Sequence, residues 1–107
     1  MRRRWLPAVL ARIRELAARR KVRFTMKALR ELAALGMGLD EEDACDVLAN
    51  LAAGDYVERL VSKKTGEWMY VFKPAVGEVV LYVKLIPRRD CVVISFHEEE
   101  GQSDEDN

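Results

Sequence analysis

The sequence predicts an α+β fold in which N-terminal helices pack on one face of a C-terminal antiparallel β-sheet. Up to Gly54 apolar residues recur at spacings of three and four, the period of a helix with one buried face. Beyond Gly54 they alternate with polar residues, and turn-forming groups separate the runs. Helices followed by strands, rather than helices interleaved with strands, indicate a helix layer on an antiparallel sheet. With 107 residues, half of them apolar and a third charged, the chain fits one domain. We place that domain at residues 1–98 and expect 99–107 to be an acidic, disordered tail, since Gly101 to Asn107 lack apolar residues.

Residues 5–20 form the first expected helix. Leu6, Val9, Leu10, Ile13, Leu16 and Ala17 make its apolar stripe, and Pro7 is tolerated because it lies in the first turn. Val22 and Phe24 alternate with Lys21, Arg23 and Thr25 in a short extended connector. Thr25 caps a second helix that runs to Leu35 and stops at Gly36. Asp40 caps a third, whose first-turn acids Glu41, Glu42 and Asp43 suit the positive helix end. Val47, Leu48 and Leu51 supply its buried side. Four strands follow: Tyr56 to Ser62 and Trp68 to Lys73 around the turn Lys64-Thr65-Gly66-Glu67, then Val79 to Ile86 and Cys91 to His97. Pro74 and Gly77 interrupt the chain between the two pairs. Trp68, Tyr70 and Phe72 share a strand face, which fits core packing better than base stacking, and Met26 and Met37 fit helix-face packing.

The formal charge of zero hides a segregation of signs. Residues 1–30 hold eleven Lys/Arg and one acid, Asp40 to Glu58 hold seven acids and no base, and six acids follow His97. Without those six, the body carries an excess of six positive charges. That suits a polyanion such as RNA, and it equally suits an ordinary solvated surface. No apolar run reaches the ~20 residues of a membrane span. The basic start is followed by mixed charge rather than an apolar stretch with a cleavage site, so no secretory signal is expected. Cys45 and Cys91 stand singly, which argues against a disulfide framework or a zinc site and for a reducing cytoplasm. Cys45 fits an inert thiol.

Strand alternation locates a candidate site. Leu81, Val83 and Leu85 share one face, while Tyr82 and Lys84 share the other. With a tight Arg88-Arg89 loop, Tyr82 faces Ser95 and Val80 faces His97. Val92, Ile94 and Phe96 then join the helix-facing set, leaving Cys91, Val93, Ser95 and His97 on the open side. Tyr82, Lys84, Ser95 and His97 would gather there as proton-transfer and cationic groups. A solvated sheet face would look the same in sequence.

The stretches KVRFTMKALRELAALG, GEWMYVFKP, EVVLYVKL and DCVVISFHEEE resemble the MqsR family of bacterial toxins, among the RelE-like ribonucleases of type II toxin–antitoxin systems. The similarity runs collinearly from about Leu6 to Glu98. It implies a metal-independent endoribonuclease without a cofactor, which cleaves mRNA and arrests translation and growth. It also implies a co-encoded MqsA-like antitoxin joining a zinc-binding region to a helix-turn-helix region, with no DNA binding by the toxin alone. The family is further tied to biofilm formation, motility and persistence. By position, the family's catalytic tyrosine falls on Tyr82 and its C-terminal catalytic lysine on His97, an imidazole that also moves protons. The family glutamine falls on Met69 and a family lysine on Glu58. Arg59 takes that cationic role if a bulge re-aims the strand.

In this reading His97 transfers the proton, and Tyr82 orients the phosphate or donates to it. Lys84, with Arg59 or Lys63, stabilises the developing negative charge. The RNA 2′-hydroxyl is the nucleophile, so no Ser or Cys is required. Met69 and Glu58 support the alternative of a catalytically weakened RNA-binding or antitoxin-binding protein on the same fold.

Overall fold

A computed structural model describes residues 3–100 of the chain; the segment Gly101 to Asn107, expected to be disordered, lies outside them. Helix α1 (Leu6–Ala18) buries Leu6, Leu10, Ile13, Leu16 and Ala17, with Pro7 in its first turn. Its C-terminus closes with Arg20 N–H on the Ala17 carbonyl (3.0 Å) and Lys21 N–H on the Leu16 carbonyl (2.8 Å). That closure sets Arg20 at φ +61°, a left-handed conformation that costs a non-glycine residue about 1–2 kcal/mol. The Arg20 guanidinium offsets this by bonding Asp46 (2.8 Å) and Glu42 (3.1 Å). Both acids lie on α3 (Glu41–Ala49), so the strained corner fastens the two helices together.

Strand β1 (Val22–Phe24) leads into α2 (Met26–Ala34), which Thr25 caps by accepting from Ala28 N–H. Gly36 follows at φ +71°, where glycine stops a helix without a Cβ penalty. The capping box of α3 pairs the Asp40 side chain with Asp43 N–H and the Asp43 side chain with Asp40 N–H. A 3-10 turn (Ala53–Asp55) ends the helical half. Met37 packs against the core, whereas Met26, expected to pack on a helix face, is exposed.

The remaining strands are β2 (Tyr56–Val61), β3 (Trp68–Phe72), β4 (Ala75–Val76), β5 (Val79–Pro87) and β6 (Cys91–Glu98). The sheet order is β1-β6-β5-β3-β2, with β4 folded back onto β5. All neighbours are antiparallel except β1, which pairs parallel with β6. The extended connector is therefore an edge strand, and Pro74 and Gly77 flank a two-residue strand rather than only interrupting the chain.

The β5–β6 register corrects the expected pairing. Pro87 faces Cys91 across a loop of Arg88, Arg89 and Asp90, one residue longer than expected. The register then shifts between Lys84 and Leu85, so that Lys84 faces Ser95 and Tyr82 faces His97. Ile94 is the extra residue of this bulge and reverses the alternation along β6. Cys91 and Val93, expected on the open face, are fully buried against the helices, while Val92 and Ile94, expected in the core, are half-buried. Phe96 keeps its expected place inside.

One buried cluster joins Leu10, Ile13 and Leu16 of α1, Leu32 of α2 and Leu48 of α3 to Phe72, Leu81, Val83, Leu85 and Phe96 of the sheet. Tyr70 and Phe72 belong to it, so those aromatics are core; Trp68 remains partly exposed. Beyond Phe24, α2 takes over the edge of β6. Thr25 N–H and Oγ1 donate to the Val93 and Ile94 carbonyls (3.0 and 3.4 Å), and Glu31 Oε1 accepts from Phe96 N–H (2.9 Å). An edge satisfied in this way offers fewer free ladder groups to another chain.

Candidate nucleic-acid site

The facing pair Tyr82 and His97 lies on the sheet side away from the core-facing Leu81 and Val83. Both rings are half-buried and stack at 4.9 Å between centroids with 12° between planes, within the centroid range of interacting aromatic pairs. His97 Nδ1 lies 2.9 Å from the Glu98 carbonyl oxygen. A carbonyl only accepts, so in this bond Nδ1 carries the hydrogen and the neutral ring presents a bare lone pair on Nε2. The Tyr82 phenol is held above its ordinary range, chiefly by burial, then by the negative charge of Glu58, with Glu99 adding to it and Lys73 opposing. At neutral pH the phenol therefore keeps its proton and serves as a donor.

Lys84 stands on the next rung of the same face, opposite Ser95 on β6 and Val71 on β3. Among the described residues its ammonium has no hydrogen-bond or ion-pair partner, so it is available to an anion. Ser95 is only 2% exposed; its Oγ accepts from Lys27 Nζ at 2.8 Å, and it supports α2 rather than reaching solvent. Arg59 is not brought to the pair. The β2 bulge between Tyr56 and Glu58 sets Arg59 opposite Tyr70, on the helix side. There its guanidinium is sandwiched between Trp5 (4.1 Å) and Trp68 (3.8 Å), a cation–π stack. Lys63 sits in the β2–β3 turn, at the opposite end of the strands from Tyr82; about seven residues of strand separate their levels, roughly 23 Å at about 3.3 Å per residue.

The bulge puts Glu58, not Arg59, on the Tyr82 side of the sheet, opposite Val71. Met69 shares that side, across the Val71–Lys84 rung from Tyr82. Three further residues surround the pair without having been singled out in the sequence. Lys73 Nζ lies 6.0 Å from the Tyr82 ring centre and 3.1 Å from Glu99 Oε1. Lys27 bonds Glu31 at 2.8 Å, and Glu31 lines a cavity of about 160 Å³ together with His97, Glu98, Ala34 and Leu35. Burial works to raise the Glu31 carboxyl, but Lys27, Phe96 N–H and His97 together hold it below the usual carboxylate range. The Lys27–Glu31 pair at i, i+4 was the one local signal available for them.

Replacing Glu58 with Gln removes a negative charge from the phenol. The Tyr82 pKa is expected to fall in a UV titration yet stay above that of a free phenol, because burial remains the larger cause. An unchanged titration would place Glu58 too far away to act.

Among the described residues no group of three or more His, Cys, Asp or Glu converges to hold a metal. None of the described helices is long and apolar enough to cross a membrane. Cys45 and Cys91 are free and buried; burial raises both thiols, Cys91 to about 12, as expected of inert core cysteines.

A helix layer on one side of a mostly antiparallel sheet, with polar and titratable side chains gathered on the other, defines a small α+β protein with one polar sheet face. The family is then specific. The family model described as "Motility quorum-sensing regulator, toxin of MqsA" matches residues 7–98, and the chain belongs to this MqsR toxin family. The mRNA interferase toxin MqsR of Escherichia coli (strain K12) is 28% identical to it over 91 residues, which cover 84% of this chain and 91% of the relative.

Proposed function

We propose that this toxin is an endoribonuclease that cleaves mRNA by attack of the RNA's own 2′-hydroxyl. The observation that carries the reading is the stacked Tyr82–His97 pair, with a bare Nε2 and a protonated phenol side by side next to the unpartnered Lys84. The name of the Escherichia coli relative, mRNA interferase toxin, supports the same substrate.

His97 Nε2 accepts the 2′-hydroxyl proton as the 2′-oxygen bonds to phosphorus. The P–O5′ bond breaks and O5′ takes a proton from water, while His97 returns its proton to solvent, leaving a 2′,3′-cyclic phosphate and a 5′-hydroxyl. Tyr82 donates to a phosphate oxygen, and Lys84 with Lys73 stabilises the charge that builds on the phosphorane. An MqsA-like antitoxin, the partner named in the family description, would hold the activity in check in the cytoplasm.

The test is incubation of the purified protein with a defined RNA in excess chelator, followed by analysis of the fragment ends. Cyclic phosphate and 5′-hydroxyl ends are expected, and co-purification with the antitoxin should abolish them. Intact RNA, or 5′-phosphate ends, would overturn the reading. One observation favours a second reading: Glu58 adds a negative charge on the site face, which suits a weakened RNA-binding or antitoxin-binding protein. Intact RNA together with tight RNA binding would be its signature.

A further inference from the structure

The same sheet face carries a second cationic feature. Arg23 of β1 faces Val92 of β6, which faces Ile86 of β5, so Arg23 projects on the side that holds Lys84, Tyr82 and His97. At this end Arg23, Arg88, Arg89, Asp90 and Val92 enclose a hollow of about 120 Å³. The turn that forms it is held from two sides. Arg12 Nη2 donates to the Arg88 carbonyl at 2.7 Å, and Glu67 grips the Arg88 guanidinium through three bonds of 3.1, 2.9 and 2.6 Å. Arg88 is thereby neutralised. Arg23 and Arg89 are exposed and, among the described residues, bond to no other group, so two free guanidinium groups face the single carboxylate of Asp90.

We infer that this hollow is a backbone-phosphate subsite for single-stranded RNA, remote from the Tyr82–His97 pair and aligned with it through Lys84. Ile86 lies four residues from Tyr82 on β5, roughly 13 Å at about 3.3 Å per residue, with Lys84 halfway. One strand of RNA laid along β5 and β6 thus meets a cation at the hollow, another at Lys84 and the reactive pair beyond. A guanidinium presents its donors in the planar fork that matches phosphate oxygens, and the fastened turn keeps the fork in place before RNA arrives. Because such contacts read no base, the subsite fixes the path of the strand and adds affinity without sequence preference. This assignment rests on the ribonuclease reading for the choice of RNA as ligand.

The experiment measures binding of a short 2′-O-methyl RNA, whose blocked nucleophile prevents cleavage, by fluorescence anisotropy across a salt series. The proteins are the wild type, Arg23→Ala/Arg89→Ala and Arg23→Lys/Arg89→Lys. Each phosphate contact in a single strand contributes about 0.7 to the slope of log affinity against log salt. The double alanine variant is therefore expected to bind several-fold more weakly, with a slope lower by about 1. The double lysine variant should keep most of the slope. An unchanged slope in the alanine variant, or no RNA binding by the wild type, overturns the subsite. Cleavage of unmodified RNA by the same preparations separates the two readings. A wild type that cleaves while the alanine variant keeps its slope removes the subsite alone. A wild type that binds through Arg23 and Arg89 without cleaving removes the ribonuclease reading alone.

Discussion

His97→Ala is expected to lower the rate of RNA cleavage by roughly 10²- to 10⁴-fold, the usual worth of a positioned general acid or base. Tyr82→Phe is expected to lose about 10- to 10²-fold, since it removes one hydrogen bond to a charged oxygen, about 1.5–3 kcal/mol, while keeping the ring that stacks on His97. Both side chains are half-exposed, so thermal melts of the variants should stay near the wild type. With Nδ1–H held by the Glu98 carbonyl, Nε2 is the atom through which His97 acts in the proposed step. Unchanged cleavage by both His97→Ala and Tyr82→Phe would remove the site from this sheet face.

Much of this arrangement was legible before any coordinates. The helix periodicity, the Thr25 and Asp40 caps and the alternation of Leu81, Val83 and Leu85 depend on neighbours a few residues away, and each is found as expected. Features that depend on distant partners were not legible. The alternation of Val22 and Phe24 marks β1 as extended but not as paired; its ladder exists because Cys91 to Val93 lie alongside. The Ile94 bulge is equally silent, because an alternating apolar run looks the same whether or not one residue is looped out. The expected neighbours Tyr82 and His97 nevertheless meet, since the longer loop and the bulge each displace the pairing by one residue and the two displacements together preserve the face. Arg59 shows the opposite case. A bulge does re-aim β2, but it turns Arg59 toward Trp5 and Trp68 and leaves Glu58 beside the phenol. Ser95 shares the face of Tyr82, yet the bulge and Lys27 bury it. Lys27, Glu31 and Lys73 reach the site through packing of α2 and the end of β3; the i, i+4 spacing of Lys27 and Glu31 encodes their ion pair but not its place beside His97.

The bulge itself can be tested by a matched pair of substitutions on β6. Val93→Gln is expected to destabilise the protein by at least about 3 kcal/mol, because a larger side chain with an unpaired amide must enter a packed core. Val93 is fully buried, faces Leu85 on one side and Phe24 on the other, and belongs to the central cluster. For a domain of this size such a loss lowers the melting temperature by more than about 10 °C, a large share of a total stability of about 5–15 kcal/mol. Val92→Gln carries the same chemical change one residue away, at a half-exposed position, and is expected to cost less than about 1 kcal/mol. With Phe96 inside, uninterrupted alternation along β6 would give the opposite ranking, with Val92 inside and Val93 in solvent. Thermal melts of the two variants therefore decide whether Ile94 is looped out. With it they decide how β6 turns both Val93 and Phe96 inward and still sets His97 against Tyr82, which is the local geometry that both the core and the proposed RNA site require.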